Sequence, residues 1–175
     1  MRRLTAMKRL SILRHAKAEP PEQHPGDSAR PLAKRGEKDA VLVADFLNLI
    51  VPPVDWILSS PAVRAEQTAK IVAKRITGDR PLIYDEQVYE ADAGLLLALL
   101  KAIPPEQEHV LLIGHNPSLE SLVAGLCSGA TGTLECRLTT AGMAHLHLEI
   151  MRWDQIRWGA GVLQLLVQPR VLRKR

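Results

Sequence analysis

Three short apolar runs, each ending abruptly in polar or charged residues, constrain the fold of this chain most. Residues 10–14 (LSILR) run into His15, residues 55–58 (DWIL) into Ser59-Ser60-Pro61, and residues 109–113 (HVLLI) into Gly114-His115-Asn116-Pro117. Apolar runs this short, bounded by turn signals, read as buried strands. Between them lie helical spacings: Ala40, Val43, Ala44 and Leu47, then Ala65, Ala69, Val72, Ala73 and Ile76. Ser60-Pro61 and Asn116-Pro117 each read as an N-cap followed by proline at the first helical position. A short strand at 81–84 and a helix over Leu95–Ile103 continue the alternation. Beyond Gly129 the texture changes, and Glu135–Leu138, Ala144–Ile150 and Val162–Val167 read as antiparallel or edge strands. Strands alternating with helices predict a three-layer α/β/α sandwich with a mostly parallel central sheet.

Composition narrows the class. At 175 residues and 46% hydrophobic, the chain can bury one sizeable core. Residues 10–172 read as a single domain behind a basic extension at 1–9, with Met1 and Met7 both available as starts. No apolar run approaches the roughly 20 residues of a membrane helix. Lys8, Arg9 and Arg14 break any leader-like apolar stretch. Cys127 and Cys136 lack CxxC spacing and read as two thiols, although one disulfide is permitted. These features point to a cytoplasmic protein. The net charge is +4, but six basic residues fall in 1–18 and four in 169–175, with no acid in either segment. The remainder holds 13 basic and 19 acidic residues, which leaves no basic body for nucleic acid. His145 and His147 share a strand face and read as an exposed pair rather than a metal site, and Trp153 and Trp158 read as packing or exposed residues near a turn.

In a parallel sheet the carboxyl ends of the strands share one edge, where ligands bind. Arg14, His15, Arg64 and His115 therefore converge beside two helix N-termini, which already favour an anion. Each residue alone has an ordinary structural explanation. Together they predict a phosphoryl-binding site.

Several blocks then carry a family resemblance. Leu13-Arg14-His15-Ala16, Ser59-Ser60-Pro61-Ala62-Val63-Arg64-Ala65 with Gln67-Thr68-Ala69, and Gly114-His115-Asn116-Pro117 resemble the histidine phosphatase superfamily. Arg30-Pro31-Leu32 with Arg35-Gly36, Val88-Tyr89-Glu90-Ala91, and Gly161 through Pro169 are similar to its short, SixA-type phosphohistidine phosphatase branch. The resemblance implies the phosphoglycerate mutase-like fold. It also implies that His15 attacks phosphorus and becomes a phosphohistidine that water hydrolyses. Arg14, Arg64 and His115 would hold the phosphoryl oxygens, so no metal or other cofactor is expected. Arg30 would stand at the rim, and Asn116 would bind substrate or cap a helix. The resemblance places a general acid at Glu90, with Asp92 as the alternative. Ala33 stands where that branch usually has a hydroxyl residue, removing an N-cap worth about 1 kcal/mol.

Only about a dozen residues separate Gly78 from Glu90, and the loop at 19–29 is short. So small a lid suits a phosphohistidine on a protein surface. A phosphatase of small phosphorylated metabolites is the second reading. A non-enzymatic nucleic-acid module using the basic ends is the third.

Overall fold

The computed structural model describes residues 7–173. Six strands form one sheet in the order β3-β2-β4-β1-β5-β6. They are β1 (Lys8–Arg14), β2 (Trp56–Ser59), β3 (Leu82–Tyr84), β4 (His109–Gly114), β5 (Met143–Leu148) and β6 (Gly161–Val167). The helices are α1 (Lys34–Leu47), α2 (Val63–Arg75), α3 (Ala93–Lys101), α4 (Ser118–Ser128) and the short α5 (Pro169–Leu172). Strands β1 to β4 are mutually parallel, while β5 and β6 add antiparallel on the far side of β1. The mostly parallel three-layer architecture is the one expected. β1 begins two residues earlier than the apolar run suggests, at Lys8, because Lys8 pairs with Leu148 and Arg9 with His109 and His147. Residues 1–6 of the basic extension lie outside the described part.

The pleat divides the core. Leu10, Ile12, Val110 and Leu112 face α3, α4 and the fully buried Trp153. Leu13, Ile57, Leu111 and Ile113 face α1 and α2. Every residue of β4 is buried, as a central parallel strand requires. β1 and β4 run level, with Leu13 opposite Ile113 and Arg14 opposite Gly114. Ser59 of β2 also pairs with Ile113. This register brings the carboxyl ends of three strands to one edge.

Three local expectations are corrected. Glu135–Leu138 is not a strand. Its backbone is taken by side chains instead: the Leu138 carbonyl accepts from Arg14 and Asn116, and its N–H donates to Glu120. α2 starts at Val63 with Ala62 at the N-cap, while Ser60 Oγ accepts from the Ala62 N–H at 3.3 Å. α4 starts at Ser118 behind Pro117, so Asn116 does not cap it. Ala33 does occupy the N-cap of α1 without a side-chain bond. Cys127 and Cys136 are both free thiols.

His145 is buried, not exposed as its strand position suggested. Ser11 Oγ lies 2.8 Å from His109 Nε2 and 2.9 Å from His145 Nδ1, bridging strands β4 and β5 across β1. Burial holds His109 at a pKa of about 4 and His145 at about 3. Both are therefore neutral in the fold, whereas in the unfolded chain they charge near 6.5. Their contribution to stability is fully present above pH 6.5 and is lost as pH falls from there toward 4. Each neutral histidine steepens this loss by about 1.4 kcal/mol per pH unit. Thermal unfolding between pH 8 and 5 is expected to show Tm falling below pH 6.5, with a shallower fall in His145→Gln.

Candidate active site

The edge formed by β1, β2 and β4 opens into a cavity of about 380 Å³ lined by Arg14, His15, Arg30, Arg64, His115 and Asn116, among others. His15 follows β1 directly, and its N–H bonds the Gly114 carbonyl across the sheet at 3.0 Å. The next N–H, of Ala16, donates to Thr68 Oγ1, which itself donates to the Arg64 carbonyl one turn back on α2. Gln67 Oε1 accepts the Leu32 N–H at 2.6 Å. The polar residues after Arg64 thus tie the loop after β1 and the start of α1 to α2.

The His15 ring is fixed by its own neighbourhood. Nδ1 donates to the Ala16 carbonyl at 2.8 Å, so the proton sits there and Nε2 keeps its lone pair. Arg64 Nε donates to that Nε2 at 3.2 Å. Burial, reinforced by His115, Arg64 and Arg14, pulls the His15 pKa down to about 3. Burial supplies the larger part, and the neighbouring arginines act in the same direction.

His115 stands 5.0 Å from His15, centroid to centroid. Its Nδ1 accepts from Arg64 Nη2 at 3.3 Å, so its Nε2 carries the proton and donates to Ser60 Oγ at 2.8 Å. Burial, then Arg64, lowers its pKa to about 4. Arg14 donates through Nη1 to the Leu138 carbonyl at 2.9 Å. Its Nε is buried and has no partner among the described residues, a donor left over for something else.

The loop over 19–29 holds a residue that sequence patterns did not single out. The Asp27 carboxylate binds Arg64 Nη2 at 2.7 Å, Arg30 Nη1 at 2.8 Å and the Tyr89 hydroxyl at 3.0 Å. Its carbonyl also accepts from Arg64 Nη1. Arg30, followed by Arg64 and Tyr89, pulls the Asp27 pKa down to about 2, so it is an anion. Arg30 is further held by the Glu19 carbonyl. Tyr89 packs edge-on against His115 at 5.3 Å. An acid isolated in a proline-rich loop, 37 residues from its arginine, offers no spacing signal.

The two acids suggested by resemblance sit elsewhere. Asp92 caps α3, accepting from the Leu95 N–H at 2.8 Å, and is thereby committed to the helix. Glu90 is exposed and is not part of the cavity lining. Asn116 lines the cavity and donates to Glu120 and the Leu138 carbonyl.

Comparison with known proteins places this arrangement. A family model described as the histidine phosphatase superfamily, branch 1, matches residues 10–103. The phosphohistidine phosphatase SixA of Escherichia coli K12 is 34% identical over 125 residues, covering 70% of this chain and 76% of that protein. An uncharacterized protein of Mycobacterium leprae is 29% identical over 166 residues, covering 90% of this chain and all of that protein. The solved structure of a protein histidine phosphatase SixA complexed with tungstate superposes with a TM-score of 0.79 at 29% identity, covering 94% of this chain and 99% of that one. A SixA-type structure from Nakamurella multipartitia gives 0.80 at 24% identity, covering 93% and 96%.

Proposed function

Because this chain belongs to branch 1 of the histidine phosphatase superfamily and is a phosphatase, we propose that it removes the phosphoryl group from phosphohistidine on a protein, through His15. The carrying observation is the neutral His15 ring, its Nε2 lone pair turned away from the Nδ1–H···Ala16 bond and toward Arg64. That nitrogen attacks phosphorus and the P–N bond to the substrate histidine breaks. Water then cleaves the new P–N bond on His15, releasing phosphate. Arg14 and Arg64 hold the negative charge on the transferring group, the part that dominates catalysis of a loose phosphoryl transfer. His115, placed with them by resemblance, is held between Ser60 and Arg64. Arg30 steadies the rim. The small 19–29 loop and the similarity to SixA favour a protein substrate over a small metabolite.

Phosphate release from a histidine-phosphorylated protein, measured with a chelator present, tests this reading. Release at rates well above those for a panel of small phosphate esters is expected. Turnover of the esters alone makes the chain a metabolite phosphatase.

His15 is expected to stay neutral throughout the working range. Its pKa of about 3 puts protonation far below neutral pH. The nucleophilic form is the deprotonated one, so acidification from pH 8 to 5.5 leaves it intact. An NMR titration of the His15 Cε1–H resonance should be flat over that interval. A midpoint near 6.5 contradicts the buried geometry.

The proton for the leaving group is proposed to come from Glu90, the carboxylic acid favoured by resemblance; Asp27, an anion held by Arg30 and Arg64, has no proton to give at neutral pH. Glu90→Gln, assayed on an ester with a poor leaving group, tests this. The variant should lose about 10²-fold in kcat.

A further inference from the structure

Beside the catalytic cavity runs a second groove, of about 220 Å³, which shares Lys17 and Thr140 with it. Its cations come from three elements: Lys17 from the loop after β1, Arg35 from α1, and Arg170 from α5. All three are exposed. The one carboxylate in its wall is Asp39, which is buried and committed. Arg173 takes both its oxygens, with Nη2 at 2.8 Å from each, and this fork docks α5 against α1. Arg35 reaches Asp39 only at 3.8 Å. Lys17 and Arg170 meet no carboxylate among the described residues. The groove therefore carries an excess of positive charge that the fold does not neutralise, continuous with the place where a phosphoryl group is handled. Thr139, Thr140 and Gln168 add neutral hydrogen-bonding groups along the same wall.

We propose that this groove binds acidic side chains of the phosphorylated protein, next to its phosphohistidine. The inference rests on the phosphohistidine reading above and extends it to the partner's surface. Cations spread over three elements suit an extended acidic surface better than a single compact anion. Long exposed side chains of this kind act mainly by steering and registering a charged partner, and their effect falls with salt.

The test uses the full chain and two phosphohistidine peptides of identical length, one with Asp and Glu flanking the phosphohistidine and one with Asn and Gln. The wild type is expected to prefer the acidic peptide by about tenfold in kcat/KM at low salt, carried by KM. Arg35→Gln with Arg170→Gln should erase that preference while leaving kcat/KM on the amide peptide and the Tm unchanged. An equal rate on both peptides overturns the proposal, and so does a preference that survives in the double variant. Turnover of a small phosphate ester with neither peptide cleaved overturns the phosphohistidine reading itself, and the groove's assignment with it.

Discussion

Replacing His15 with alanine is expected to lower phosphate release by about 10⁴-fold or more, since loss of a covalent nucleophile is not compensated by its neighbours. The same wild-type protein, quenched in alkali during turnover, should carry one phosphoryl group that is stable to base and labile to acid. The variant should carry none. Stability is a separate matter. His15 is buried, and its neutral ring costs the fold nothing at neutral pH. Its main bond to the fold, Nδ1–H to the Ala16 carbonyl, is local. The Tm of the variant should therefore stay within a few degrees of wild type. Residual turnover near the wild-type rate moves the nucleophile elsewhere and removes the basis of the mechanism.

Gly36→Ala is expected to be the most damaging single-methyl addition near the site. A Cβ at this position would lie 2.1 Å from the Lys17 carbonyl oxygen and 2.9 Å from its nitrogen. Both are backbone atoms, and that carbonyl is also held by the Ala33 N–H at 2.9 Å. Neither side can yield as a flexible side chain does. Overpacking of this kind costs about 3 kcal/mol, or a Tm drop of about 6–12 °C for a domain of this size. The peptide displaced is two residues from His15, so kcat/KM should fall as well. Gly26→Ala provides the control. It sits in the 19–29 loop with extended backbone and nothing within 4 Å of the added methyl, and it should change neither quantity.

The convergence of Arg14, His15, Arg64 and His115 was legible because each lies at or soon after the end of a strand whose apolar run is unmistakable, and parallel strands end on one edge. The helices after Ser60-Pro61 and Asn116-Pro117 were legible for the same reason, as punctuation. Their first turns were not, because Ser60 and Asn116 spend their side chains on His115 and on Glu120 with Leu138. Residues 135–138 read as a strand, yet no pattern records that the side chains of Arg14, Asn116 and Glu120 claim the peptide groups of Leu138. Asp27, Thr68 and Gln67 act through partners 35 to 52 positions away. Periodicity reports what a residue does within its own element, and says little about a bond across the fold.

The grip of Arg30, Arg64 and Tyr89 on Asp27 has a consequence for which anions gain entry. The main cation of the site already has a counter-ion, and that counter-ion is tethered. Entry is thus an exchange reaction, set against a local concentration that a short loop holds in the millimolar range or above. Chloride or a stray carboxylate brings a single charge and only replaces like with like. A phosphoryl group brings nearly two charges and three strong acceptors, enough to tip the exchange. On the phosphatase reading, the loop would act as a threshold on charge density, discouraging abundant weak anions before any contact with the rest of the substrate is made.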